Sequence, residues 1–334
     1  MQTMPSTHRV AVFLLALVLT TLPAARAAAA SAGFTAEKAG TGAVVKFNGQ
    51  PFAEYVVDQA NKPYLFPVHG PTGKAMTRVF PMQKVDGEQH DHPHHRAINF
   101  GHQDIGGFDT WSERASFPAN ADPAKHAGFA RLGAIQHRGF KSITADARQA
   151  TLLTDNDYVT PDGKKVISEV RRLTFRVEGE TRLIDFDQEF TAGDSPVIFG
   201  DKKDAGLSIR VPTSMAVDTK KGGYIITSAG LTNGAAWGKR ATWVDYHGPV
   251  EGETVGVAML NHPSSFRHPT SWHVRTYGLF TANPFGTLDK ADPNGPHTLP
   301  AGEKLRLRHR FILHTGDEKA AKIAAAYERY AAEK

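Results

Sequence analysis

The chain has 334 residues, 39 Lys plus Arg against 34 Asp plus Glu, a formal charge of +5 and no cysteine. That balance is mild and the basic residues are scattered, which argues against a nucleic-acid binder. The absence of cysteine excludes a disulfide scaffold and a thiolate metal site, and a chain this long can build its core without such staples.

The chain opens on a secretory signal: Arg9, an apolar run from Val10 to Leu22, and an A-x-A cleavage site at Ala25-Arg26-Ala27. Residues 1–27 are read as a leader and 28–334 as one domain. Losing Arg9 and Arg26 lowers the net charge by two, to +3. The run is short for a membrane span and no later segment is long enough, so the expected product is soluble, periplasmic or secreted, with no membrane span.

The elements that follow are mostly strands. Ala43–Phe47 and Phe52–Val57 flank Asn48-Gly49, a strong hairpin signal. Next comes a histidine-rich stretch from His90 to Trp111, HDHPHHRAINFGHQDIGGFDTW. Imidazole titrates near neutral pH and is the commonest metal ligand. Pro93 is expected to hold His92 extended, so that His90, His92 and His94 share a face, with Asp91 and His95 opposite. The loop from Ser116 to Lys125 is expected to form a lid or rim.

Thr151–Val159 and Lys165–Val177 read as a long hairpin around Pro161-Asp162-Gly163. Arg182–Thr191 alternates Ile184, Phe186 and Phe190 with Asp185, Asp187 and Glu189. Further strands are expected at Val197–Gly200, Leu207–Val211, Tyr224–Ser228, Thr242–Tyr246, Val255–Leu260, His273–Phe280 and Lys304–His314. Glu318–Ala332 reads as a helix with an apolar stripe at Ile323, Tyr327 and Tyr330. The fold class is therefore all-β, a large antiparallel sandwich with a C-terminal helix.

Three segments stand apart from this pattern. In the first, His94 and His95 are candidate general acid/base groups, Asp109 a carboxylate partner, and Arg96 and Trp111 substrate contacts. His92 and His102 are candidate ligands of a divalent metal ion, the candidate cofactor. In the second, Asp201, Lys202 and Asp204 follow an apolar strand and could serve as acid, oxyanion stabiliser and base. In the third, His268, Trp272, His273 and Arg275 form an Arg/His/Trp mixture of the kind sugar sites use, with Tyr277 a second aromatic platform. Taken singly, each residue fits an ordinary structural role: a hydrogen-bonded core histidine, or a solvated turn.

The segments DHPHHR…F.H.D..G.D.W, GDK.DA.L.IRV and HP…RHPT.WHVR.YGL..ANPFG resemble a bacterial PmoA-like family of unknown function, over about Gly49 to His314. Its members often carry the label "methane oxygenase PmoA". The resemblance implies a galactose-mutarotase-like β-supersandwich and places the site at His92, His94, His95, Arg96, His102, Asp109, Trp111, Asp201, Lys202, Asp204, His268, Trp272, His273 and Arg275. Ala97 and Asn99 stand where glycine and a bulky aromatic are commoner, which bears on substrate shape.

The leading expectation is an exported carbohydrate-active enzyme that cleaves a glycosidic bond, as a hydrolase or a lyase. Its partner is then a carbohydrate. The rivals are an epimerase or mutarotase, a non-catalytic sugar-binding protein, and a metal-dependent oxygenase.

Overall fold

Asn48 and Gly49 both take left-handed backbone, at φ 49° and 75°, the conformation a two-residue hairpin turn demands. They join the second and third of the strands below. The computed structural model describes residues 1–2, 32–117, 127–291 and 294–334. The leader, apart from residues 1–2, and most of the expected rim over 116–125 lie outside the described residues.

In chain order the strands begin β1 (Phe34–Ala39), β2 (Gly42–Phe47), β3 (Gln50–Val56), β4 (Tyr64–Val68), β5 (Ile98–His102) and β6 (Ala134–Ala145). There follow β7 (Gln149–Val159), β8 (Lys165–Glu178), β9 (Thr181–Ala192), β10 (Val197–Phe199), β11 (Ala205–Arg210) and β12 (Tyr224–Thr227). The last are β13 (Trp243–Val250), β14 (Glu253–Asn261), β15 (Ser271–Val274), β16 (Leu279–Asn283), β17 (His297–Leu299) and β18 (Lys304–Thr315), before a helix, α1 (Ile323–Ala331).

Two eight-stranded antiparallel sheets result. Sheet one runs β1-β2-β3-β4-β5-β11-β16-β15, and sheet two runs β12-β13-β14-β18-β9-β8-β7-β6. β10 and β17 form a separate pair. The unit containing both sheets extends from Ser31 to Lys334. No helix among the described residues is long and apolar enough to cross a membrane.

The sheets meet through aromatic residues on their facing sides. Phe52 of β3 meets Phe175 of β8 at 5.5 Å between ring centroids. Phe100 of β5 meets Phe190 of β9 at 5.3 Å, and Tyr246 of β13 meets Phe280 of β16 at 6.4 Å. Burying each such side chain is worth about 1.5–3 kcal/mol before ordering costs. The outer face of sheet two is capped in part by α1, whose Ile323, Tyr327 and Tyr330 join Leu183, Trp243, Leu260 and Ile312.

Three expectations change. β1, β4, β5, β6 and β17 were not foreseen, because short or polar strands carry weak periodicity. The single strand expected at His273–Phe280 is a hairpin: Arg275 N–H donates to Leu279 O at 2.7 Å and Gly278 takes φ 104°. The helix begins at Ile323 rather than Glu318, since Lys322 adopts left-handed backbone at φ 54°.

Candidate functional site

In sheet one, β5, β11, β16 and β15 lie side by side. Alternation sends Ile98, Phe100, Leu207, Ile209, Phe280, Ala282, Trp272 and Val274 into the core. The opposite face then carries a polar row in register: Asn99 beside Ser208, Ser208 beside Thr281, Thr281 beside His273. All four are buried, so loops cover this face.

The histidine segment is one of those loops. It is not extended: His95 N–H donates to His92 O at 3.0 Å, and His92 and Ala97 take φ 45° and 37°. That conformation is costly ahead of a proline, and the surroundings hold it. Arg78 donates to the His92 carbonyl at 3.0 Å. The His92 ring stacks on His95 at 4.7 Å and on Tyr277 at 5.3 Å, nearly parallel to both. The shared face expected for His90, His92 and His94 therefore does not form.

Asp91 anchors the turn. It pairs with Arg78, with Arg210 at 2.8 Å and with the His92 ring at 2.6 Å. Burial opposes its charge, but the His92 hydrogen bond and the Arg210 and Arg78 guanidiniums hold it well below the usual carboxylate range. Arg210 also donates to His95 Nδ1 at 3.2 Å. An arginine can only donate, so His95 carries its proton on Nε2. His94 Nδ1 meets Ser116 Oγ at 2.9 Å. Burial first, then the Lys62 charge, pulls His94 down to about 3. Burial, then His94 and Arg210, likewise keeps His95 neutral.

Beneath this turn lies an ion cluster. Arg96 donates to both oxygens of Glu113, at 2.8 and 2.9 Å, and Lys62 Nζ reaches Glu113 at 3.0 Å. Arg96 is thus engaged, with its guanidinium over Tyr64. Trp111 is buried edge-on against His95 at 5.7 Å and forms a wall of the turn.

The third segment reaches the same place from the other side. His273 Nδ1 donates to Lys203 O at 2.6 Å, which leaves Nε2 as an acceptor. Asp204 lies 3.7 Å from that ring, and burial lowers the His273 pKa despite both partners. Trp237 meets His273 edge-on at 6.3 Å. The Arg275 guanidinium sits 5.9 Å from the Trp237 ring and 5.6 Å from the Tyr277 ring, and the Arg210 guanidinium lies 4.7 Å from the Tyr277 ring. Tyr277 therefore joins the histidine turn to the third segment. Among the described residues the Arg275 side chain has no hydrogen bond or ion pair, and the buried Trp237 Nε1 has no partner.

Other expected residues lie elsewhere. His102 shares the inward face of β5 with Ile98 and Phe100, packs on Phe199 and Phe285, and accepts the Asp104 N–H at Nδ1. It does not join His92 in a metal site, because its ring packs among core aromatics while the His92 ring lies in the loop, stacked on His95 and Tyr277. Asp109 accepts the Trp111 and Ser112 N–H groups at 2.7 and 2.9 Å, a turn-forming role. Trp272 is fully inside the core and donates to Ala241 O, so it offers no platform. His268 bonds Asn261 and contacts Tyr327 of α1. Asp201 holds Thr287 through two 2.6 Å bonds, and Lys202 pairs with Asp104 at 3.6 Å. Of the three residues expected in the second segment only Asp204 adjoins the candidate site, next to the Lys203 carbonyl that holds His273.

Arg78, Lys62, Glu113, Arg210 and Trp237 escaped sequence reading. Arg210 left one signal, a charge at an alternate position in the apolar strand LSIR. Trp237 left none, being a single aromatic in an irregular loop.

The buried neutral rings predict acid sensitivity. Burial brings His102 and His309 down to about 3, against 6.5 when unfolded. Between these values the unfolded chain binds more protons. Their contribution is whole above about pH 6.5 and shrinks as pH falls toward 3, by at most about 1.4 kcal/mol per ring per pH unit. Urea midpoints should therefore hold from about pH 7.5 to about pH 6.5 and then drop steadily toward about pH 5; a flat profile below about pH 6.5 would contradict the assignment.

The sequence matches the model of a family of unknown function (DUF6807) over residues 42–328. The chain belongs to this family. That match corrects the PmoA-like assignment, for which no family model matches. No curated protein matches the chain. Among solved structures, an alpha-galactosidase from Lactobacillus brevis is similar at 9% identity and TM-score 0.41, over 90% of this chain and 43% of its own. A galactose mutarotase related enzyme from Lactobacillus acidophilus is similar at 11% identity and TM-score 0.37, over 85% of this chain and 98% of its own. The chain thus spans less than half the length of the first.

Proposed function

We propose that this member of the DUF6807 family is an exported carbohydrate-active enzyme that cleaves a glycosidic bond beside a sugar carboxylate, by elimination. One observation carries the reading: the Arg275 guanidinium, flanked by the Trp237 and Tyr277 rings, has no hydrogen-bond or ion-pair partner among the described residues and adjoins a histidine whose Nε2 is a bare acceptor. Aromatic walls suit the C–H faces of a sugar, and a forked guanidinium suits a carboxylate.

In the proposed reaction Arg275 binds the carboxylate and takes up the charge that develops there. His273 Nε2 removes the proton from the carbon bearing that carboxylate. The electron pair forms a carbon–carbon double bond as the bond from the next carbon to the glycosidic oxygen breaks. The Tyr277 hydroxyl, which has no hydrogen bond among the described residues, protonates the departing oxygen, and the His273 proton restores it. Two-carboxyl hydrolysis instead needs one carboxyl held protonated. Asp91 and Glu113 are both held below their ordinary values, Glu113 by Lys62 and Arg96 against the opposing effect of burial; burial raises Asp109, but that carboxylate is committed to the Trp111 and Ser112 N–H groups of its turn.

The test is mass spectrometry of products from a panel of neutral and uronate-containing oligosaccharides. Elimination gives shorter products with no added water and one new double bond. Products that gain water would overturn elimination, and an epimer of unchanged mass would overturn cleavage. His273→Gln should lower kcat about 10²–10⁴-fold with the circular dichroism spectrum unchanged; retained turnover would remove His273 from the role of base.

A further inference from the structure

Sheet two carries its own polar cluster on the face away from the core. The register of β13, β14 and β18 sets His247 opposite Gly256, and Gly256 opposite His314. A Cβ at position 256 would lie 2.2 Å from His314 Cε1 and 2.9 Å from His247 Cβ. Only glycine leaves room for both rings. Asp245, two residues before His247, projects from the same face. Its Oδ1 is 2.6 Å from His247 Nδ1 and its Oδ2 is 2.6 Å from His314 Nε2. Glu318, in the turn before α1, brings Oε2 to 3.9 Å from His247 Nδ1.

Among the described residues the cluster holds no lysine or arginine. Asp245 and His314 side chains are fully buried, and the Glu318 side chain is 11% exposed. Among the described residues neither carboxylate has a Lys or Arg partner; imidazoles alone face them. Other buried carboxylates in this protein differ: Glu113 has Lys62 and Arg96, Glu169 has Arg171, and Asp185 has Arg310.

We propose that Asp245, His247 and Glu318 bind a divalent first-row transition cation, zinc foremost, which ties the segment before α1 to sheet two. One ligand atom from each lies within 4.8 Å of the others. A tetrahedral zinc with bonds of about 2.0–2.1 Å sets its ligand atoms about 3.3 Å apart, a spacing bracketed by the 2.6 and 3.9 Å found here. Two carboxylates neutralise the dication. Imidazole nitrogen with carboxylate oxygen suits zinc better than calcium or magnesium. His314 holds the second oxygen of Asp245 and so orients the first, as outer partners of metal ligands do. The fourth position is left to water.

The experiment is calorimetric titration of zinc chloride into the purified full chain after chelator treatment, with thermal unfolding followed in parallel. One zinc per chain and a raised Tm are expected. Glu318→Gln and His247→Gln should each weaken binding on the order of 10- to 100-fold. Glu318 sits in a turn and has no Lys or Arg partner among the described residues, so Glu318→Gln should keep the metal-free Tm and remain informative if His247→Gln folds poorly. Cobalt should give the visible spectrum of a tetrahedral site. Absence of binding at millimolar zinc overturns the proposal. So does affinity unchanged in Glu318→Gln, or affinity lost instead in His92→Ala, which would put the ion in the histidine turn.

Discussion

Replacing Arg275 by Met is expected to lower kcat/KM on a carboxylated oligosaccharide by about 10²–10³-fold, the usual cost of removing a donor aimed at developing charge. Turnover of neutral oligosaccharides, if any occurs, should change little. The guanidinium rests on Trp237 and Tyr277 and bonds to nothing else among the described residues. Its removal should therefore shift unfolding by no more than about 0.5 kcal/mol. Arg275→Lys should recover part of the loss, since an ammonium keeps the charge without the bidentate fork. Equal losses on neutral and acidic substrates, or unchanged kcat/KM on the acidic one, would remove Arg275 from carboxylate recognition. Chemical denaturation measured beside the kinetics separates these outcomes from loss of fold.

Glu169→Ala should cost about 3–5 kcal/mol of stability, the penalty for orphaning a buried charge. Glu169 lies on the inward face of β8, wholly buried between the sheets. Arg171 donates to its two oxygens at 2.7 and 2.9 Å, and Tyr158 and Gln188 donate at 3.0 Å each. Arg171 also donates to Tyr55 of sheet one at 3.3 Å, so the network spans the sandwich. With Glu169 gone, Arg171 keeps its charge and loses its counter-ion. Urea unfolding reads the loss directly. The double variant Glu169→Met with Arg171→Met should regain most of it, because a well-packed apolar pair replaces both ions. Additive losses in the double variant would show that the two side chains act independently, against the geometry.

The long strands of sheet two were legible because they are amphipathic and bounded by turn chemistry. β7 and β8 flank Pro161-Asp162-Gly163, where Gly163 takes φ 84°, and β9 shows the expected alternation with Phe186 and Phe190 inside. The candidate site was legible only as residue types. His92, His94, His95, His273, Arg275 and Asp204 do adjoin one another through Tyr277 and Arg210. Trp272 and His102 carried the same compositional signal and lie in the core. On a strand, one residue of register separates a core side chain from a site side chain. Trp272 and His273 are neighbours in sequence and occupy opposite faces.

By itself the sequence determined the all-β class, the sandwich-forming hairpins and the C-terminal helix, since hydrophobic period and turn residues act over a few positions. Tertiary structure alone decided which polar residues meet. Left-handed backbone at His92 is sustained by Arg78 and by two stacked rings from distant segments. The Asp245, His247 and Glu318 cluster depends on the pairing of β13, β14 and β18, with Gly256 between the rings. Such juxtapositions join positions tens to hundreds of residues apart. They follow from sheet order and register, which no local pattern encodes.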